Sequence, residues 1–214
     1  MVPDRMKSGE ELPDHYRHVA RDVVEMCNPR DGIWVDLGSG DGPVSRALTR
    51  ISDSLFILVD PNPQALSRAS ERSLESGRCG RTLAVVARAE HLPFAEGSVD
   101  LVVSRGSVFF WDNRPAGIRE ADRVLAPGGK AMIGGGLGST YPEWARQRFI
   151  ERQRRGQRKR GPEAFRKFRH DRSPETFRRW AEQAGLREFR VVGEGGLPAT
   201  DPDTGLGIWL LFGK

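Results

Sequence analysis

Cysteine is nearly absent from this sequence: only Cys27 and Cys79 occur, and their separation matches no metal-ligand spacing. A disulfide framework and a cysteine metal site are thereby excluded as organising devices, and both thiols read as reduced, packed or incidental. Histidine is almost as scarce, with four residues and no His–carboxylate cluster, so no metal is expected. No run approaches the roughly 18 apolar residues of a membrane span. Met1 to Glu10 lacks the apolar core of a signal peptide, which places the expected location in the cytoplasm. There is no internal repeat, and the excess of positive charge is not spread along the whole length. The net +5 comes from one segment: Arg146 to Arg179 holds 14 Lys and Arg against 4 Asp and Glu, while the remainder holds 20 against 25.

What is present suffices for one sizeable core, since 37% of the 214 residues are hydrophobic and 29% charged. The expected organisation is a loose polar arm over 1–12 and a single domain over 13–214. Its focus is VDLGSGDG at 35–42, preceded by the apolar Ile33, Trp34 and Val35 and followed by Pro43. Glycines at 38, 40 and 42 break the apolar run as a tight loop in which a ligand can approach bare backbone. Pro43 suits the first position of a helix, and Val44, Ala47, Leu48 and Ile51 give that helix one apolar face. Strand, glycine loop and helix together make a nucleotide cradle.

Charge narrows the ligand. A dinucleotide fingerprint needs glycine where Pro43 stands, and Asp36 and Asp41 would face the pyrophosphate. Two carboxylates repel a dianion but suit a ligand with an ammonium and a sulfonium centre, such as S-adenosylmethionine.

Taken in order, Asp14 caps a helix with Tyr16, Val19, Ala20, Val23, Val24 and Cys27 on one face. Ser54–Val59 is a strand ending at Asp60, and Asn62 and Pro63 open a helix with Leu66, Ala69, Ser73 and Leu74 inward and Gly77 as its stop. Thr82–Ala87 and Val99–Val103 are strands, Pro115–Leu125 a helix, and Lys130–Gly134 a fifth strand. Tyr141–Arg160 is compatible with a cationic helix, interrupted by Gly161 and Pro162. Ser173 and Pro174 start a last helix, with Phe177, Trp180, Ala181 and Ala184 inward. Arg187–Gly193 and Leu206–Phe212 close the chain as an antiparallel pair. This alternation implies an α/β fold, with a doubly wound parallel sheet that binds ligands at the carboxyl ends of its strands.

At VDLGSGDG (35–42), Asp60, AEHLPFAEGSVDLVVS (89–104) and READRVLAPGGKAMI (119–133), the sequence resembles the class I S-adenosylmethionine-dependent methyltransferases. Within them it is most similar to the branch containing the ubiquinone and menaquinone biosynthesis enzymes, a methyltransferase type 11 domain. The resemblance implies a Rossmann-like seven-stranded sheet in the order 3-2-1-4-5-7-6, its last strand antiparallel, with helices on both faces. It implies S-adenosyl-L-methionine as cofactor and S-adenosyl-L-homocysteine as product. Gly38, Ser39 and Gly40 would meet the cofactor through the loop, and Asp36 would anchor its amino end. Asp60, with Pro61 behind it, would accept the ribose hydroxyls, Ala89 and Glu90 would hold adenine, and Ser104 would lie beside the transferred methyl. The loop RGSVFFW at 105–111 departs from relatives that carry a shorter loop with a histidine.

The expected chemistry is in-line displacement of the sulfonium methyl by a small-molecule nucleophile. RNA or protein is the alternative acceptor, and a non-catalytic cofactor-binding protein the second alternative. No general base stands out: His15, His18, Arg105 and Trp111 are the candidates. Asp41 is balanced between cofactor contact and turn-making, and Phe109, Phe110 and Trp111 between core filling and stacking on a ligand. The basic stretch at about 140–172 is expected to be a helical lid over the acceptor pocket. Its cations would draw in an anionic acceptor or, as the lesser reading, RNA phosphates.

Overall fold

A computed structural model describes residues 12–75, 81–199 and 207–214. Most of the expected 1–12 arm, Gly77, Cys79 and Leu206 lie outside the described residues. The apolar runs form strands β1 (Ile33–Leu37), β2 (Leu55–Asp60), β3 (Thr82–Val86), β4 (Val99–Arg105), β5 (Leu125–Gly135), β6 (Phe189–Val192) and β7 (Ile208–Gly213). They make one sheet in the order β3-β2-β1-β4-β5-β7-β6, as expected. β1 to β5 pair in parallel, and β7 runs antiparallel to both neighbours. Helices α1 (Tyr16–Cys27), α2 (Pro43–Leu48) and α3 (Pro63–Glu75) cover one face, and α4 (Arg114–Val124) and α7 (Pro174–Ala184) cover the other. Between β5 and α7 the chain adds α5 (Glu143–Lys159) and α6 (Pro162–Asp171).

The pleat of β1 sorts its side chains. Val35 and Leu37 enter the core shared with α4 and α7, while Trp34 packs toward α1, α2 and α3. Both faces are covered, which is why β1 and β2 read as unbroken apolar runs. Parallel pairing holds Leu37 beside Val59 and Asp36 beside Val103, so the carboxyl ends of β1, β2 and β4 meet at one edge.

Some expectations need correction. Ile51 does not extend the buried stripe of α2: the helix ends at Leu48, and Ile51 is 54% exposed in the turn beyond it. Leu74 is 62% exposed because it lies eight residues, about 80° of helix rotation, from the buried Leu66. β5 is longer than Lys130–Gly134. Leu125 already pairs with Val99, and Pro127, Gly128 and Gly129 form an irregularity inside the strand rather than a stop before it. The N-cap of α1 is His15 rather than Asp14, one residue later than expected, although the Asp14 carboxylate accepts the Tyr16 N–H at 2.9 Å.

The basic insertion is bolted to the sheet by a buried polar network. Arg146 of α5 pairs with Glu194, which follows β6, and donates to the Gly138 carbonyl at 2.8 Å. Glu194 accepts the N–H groups of Leu137 and Gly138, while Asp22 of α1 accepts from the Ser139 hydroxyl and from the Ser139 and Gly195 N–H groups. Both members of the ion pair are almost fully buried. Breaking such a pair from one side leaves an uncompensated buried charge. Arg146→Met should therefore cost about 3–5 kcal/mol in urea unfolding, and the double variant Arg146→Met/Glu194→Gln should recover part of that. An Arg146→Met protein as stable as the parent would show that the insertion is held elsewhere.

Candidate functional site

The loop after β1 is fixed from below. The N–H groups of Gly38 and Ser39 donate to the Val59 carbonyl at 2.7 and 3.1 Å, and Gly40 N–H donates to the Asp60 carboxylate at 2.9 Å. The three glycines do different work. A Cβ on Gly38 would collide with Ser107, and one on Gly42 would press on Leu58, so those two are glycine for packing. A Cβ on Gly40 would meet nothing within 4 Å, although its φ of +55° still disfavours other residues. Only Gly40 faces open space.

An outer cavity of ≈430 Å³ lies at this edge, within the usual range for small-molecule sites. Of the expected site residues, Gly38, Asp60, Pro61, Ala89, Glu90, Arg105 and Trp111 line it together. Asp60 also accepts Asn62 N–H at 2.9 Å, and its two oxygens retain lone pairs for further donors. Glu90 accepts Asn113 N–H at 3.0 Å, which ties the cavity wall to the start of α4. Burial works against its ionisation, yet that N–H and nearby Arg88 outweigh it, holding its carboxyl below the ordinary range.

Other expected residues stand elsewhere. The Asp36 carboxylate is buried beneath the loop, where it accepts the Ser45 N–H and hydroxyl at 3.1 and 2.5 Å. Burial pushes its pKa up to about 6. It thus occupies the first turn of α2, the helix end that the sequence offers to a ligand. Asp41 pairs with Arg72 of α3, a partner within the fold. The Ser39 hydroxyl is buried without a protein partner. Ser104 is fully buried and bonds Ser107 at 2.6 Å, so it supports the site from behind. Ser107 itself joins the Leu37 carbonyl and the Trp111 indole at 2.8 and 3.1 Å. Phe110 is 83% exposed at the rim, whereas Trp111 is a buried wall.

Arg105 stands at the end of β4. It donates twice to the Gly136 carbonyl, at 3.1 and 3.0 Å, and lies 5.2 Å from the centre of the Tyr16 ring. With Gly106 it also borders a second, inner cavity of ≈180 Å³. That space is roofed by Phe149, Ile150 and Gln153 of α5 and closed by Phe109 and Arg172. Residues the sequence reading missed are therefore Arg88, Gly106 and Ser107 in the outer cavity and Arg172 in the inner one. Gly106 and Ser107 carried a signal, since they directly follow the fourth strand.

His18 bonds Thr140 at 2.7 Å and lines a separate groove with Arg17 and Arg21. His15 contacts the rings of Tyr16, Tyr141 and Phe149, and its Nε2 is buried without a partner. It borders an open cleft that shares Phe149 and Gln153 with the inner cavity. Burial, aided by Arg105, lowers its pKa to about 4, so it is neutral at pH 7.

Residues 35–133 match the family described as "Methyltransferase domain". A chloroplastic 2-methyl-6-phytyl-1,4-hydroquinone methyltransferase of Spinacia oleracea is 33% identical over 64% of this chain and 39% of its own length. A ubiquinone/menaquinone biosynthesis C-methyltransferase of Shewanella pealeana is 31% identical over 55% of this chain and 48% of its own. The chain spans less than half the length of these curated relatives. Among solved structures, a putative S-adenosyl-L-methionine-dependent methyltransferase of Methanococcus maripaludis superposes with a TM-score of 0.74 at 22% identity, covering 99% of this chain and 97% of that one. That likeness shows the fold. The family match and the relatives thus agree with the resemblance read from the sequence, and the superposition agrees with the expected fold.

The shifted His15 has a measurable consequence. Between about pH 4 and 6.5 the unfolded chain binds a proton there that the folded chain refuses, so this histidine makes stability rise with pH across that window. Asp36, raised toward 6, contributes the opposite slope. His15→Phe should flatten or reverse the rise in unfolding free energy between pH 4 and 6.5, and an unchanged pH profile would mean that His15 is solvated.

Proposed function

We propose, with residues 35–133 as a class I S-adenosylmethionine-dependent methyltransferase domain, that the chain transfers a methyl group from that cofactor to a small-molecule nucleophile. The observation that carries this reading is the convergence of Asp60, Gly38 and the Ala89–Glu90 pair on one cavity, with Gly40 opening on space beside it. The residues present suit the donor. Asp60 has acceptor capacity for two ribose hydroxyls, Trp111 and Ala89 offer apolar walls to a base, and the sides near Asp60 and Glu90 are acidic rather than phosphate-binding. When bound, the donor supplies a sulfonium-activated methyl. Gly38, Asp60, Ala89 and Glu90 would hold that donor, whose methyl would be open to an acceptor's nucleophilic atom.

The chain's own task is then alignment and exclusion of water. Arg105 and Gly106 border both cavities, so an acceptor in the inner one would adjoin a donor in the outer one. We assign α5 as the lid: Phe149, Ile150 and Gln153 separate the inner cavity from solvent, and the Arg146–Glu194 pair anchors the base of the helix. Among the described residues lining the inner cavity there is no carboxylate or histidine. A proton lost by the acceptor therefore leaves before binding or through solvent. Arg154, Arg155, Arg158 and Lys159 line a groove on the outer side of α5, and Arg160 lines the open cleft. These cations do not touch the acceptor space, which favours a small molecule over RNA for the reaction itself. The quinone-type acceptors named for the relatives are one candidate class for this cavity.

Calorimetric titration of S-adenosylhomocysteine tests the donor site. Asp60→Ala should weaken binding by about 2–4 kcal/mol, since two hydroxyls lose a charged acceptor, and Asp60→Asn should do less harm. Parent-like affinity in both variants would remove Asp60 from the site.

A further inference from the structure

The inner cavity holds two guanidinium groups that no carboxylate among the described residues pairs with. Arg105 uses Nε and one terminal nitrogen on the Gly136 carbonyl, and Arg172 makes only a long 3.4 Å bond to the Phe168 carbonyl. Among the described residues neither forms an ion pair. Glu194, the carboxylate acting on Arg105, is committed to Arg146, and Asp171 beside Arg172 is held by Lys167 at 2.8 Å. Arg172 is also stacked: its guanidinium carbon lies 3.7 Å from the centre of the Phe109 ring and 3.9 Å from that of Phe168. The stacking fixes the plane of the fork and leaves its edge free to donate.

A buried cation is costly unless an anion compensates it. Burial already depresses Arg172 to about 10 and lowers Arg105 below its usual value, and among the described residues no lining carboxylate offsets this. The other side chains in the walls are the apolar Phe109, Leu137, Phe149, Ile150 and Ile208, with Gln153 as the one uncharged polar group among the described lining side chains. The volume of ≈180 Å³ exceeds the about 150 Å³ in which a buried cavity accommodates benzene.

We propose that the inner cavity is an oxyanion subsite, so that the methyl acceptor carries a carboxylate or phosphate on a ring-sized apolar body, with Arg172 and Arg105 binding the anion. This rests on the reading of the outer cavity as the place of the methyl donor. Arg172 serves as anchor because it touches only the inner cavity. Arg105, at the junction, holds the end of the acceptor that faces the donor. Guanidinium forks match both carboxylate and phosphate by paired N–H donors, so the two anions share this chemistry and differ in charge and size.

Three probes test the subsite by calorimetry: 4-hydroxybenzoate, phenyl phosphate and the neutral 4-hydroxybenzamide. Each is titrated into the parent chain with and without saturating S-adenosylhomocysteine. At least one of the anions should bind about tenfold or more tightly than the amide, as hydrogen bonds to a charged group predict. The tighter of the two anions identifies the source. Arg172→Met should abolish the preference while S-adenosylhomocysteine affinity stays within about twofold, and Arg172→Lys should keep part of it. Equal affinities for acid, phosphate and amide, saturable binding of none of them, or an unchanged preference in Arg172→Met overturns the proposal. The first two outcomes are read on the parent, so they stand even if Arg172→Met does not fold. Loss of S-adenosylhomocysteine binding by the parent would contradict the donor reading instead, because the probes are also titrated alone.

Discussion

Parallel, in-register pairing of β1 with β2 and β4 is the constraint from which the site follows. It brings three strand ends to one edge, where each chain must turn back over the sheet into a helix, and it leaves a crevice between turns that leave in opposite directions. Two carboxylates then lock the turns from inside. Asp36 satisfies the start of α2, and Asp60 ties Gly40 to the turn before α3. Ser107 completes the lock by joining Leu37, Ser104 and Trp111. The cavity walls are thus set by backbone and short polar side chains, a rigid arrangement suited to positioning a ligand.

The acceptor side is built differently. It depends on an insertion after β5 whose sequence is too cationic to bury a face of its own. The insertion holds because a few residues escape that pattern: Ala145 and Ile150 are buried, and Arg146 is neutralised by Glu194. The division of charge has a physical logic. Cations on the outer side of α5 are hydrated and act at long range, while Arg105 and Arg172 are desolvated, where a matching anion gains most.

Where the sequence had a single dominant signal, fold and site were legible. The apolar runs, the Pro-led helices and the glycine loop predicted a doubly wound sheet and α7 over 174–184, while the strand order and the sharing of one site by Asp60, Ala89 and Glu90 came from the resemblance carried by the linked motifs. Roles were not legible where one residue type serves two ends. An aspartate after a strand can face a ligand or cap a helix, and Asp36 and Asp41 found partners in Ser45 and Arg72. Ser104 was misplaced by strand parity: the side chains of β4 alternate, so it points inward and its neighbour Arg105 borders the cavity. Arg172 was invisible among 14 cations of one segment, since only the tertiary fold separates a stacked, buried guanidinium from solvated ones.

The central claim is that the donor occupies the crevice at the ends of β1, β2 and β4. Two-dimensional NMR of the 15N-labelled chain during titration with S-adenosylhomocysteine tests it most directly, because each backbone N–H reports its own surroundings. The largest shifts should fall on Gly38, Gly40, Ala89, Gly106, Ser107 and the Trp111 indole, with Arg154, Arg155, Arg158 and Lys159 unmoved. Shifts confined to the outer side of α5, or none at saturating ligand, would contradict it.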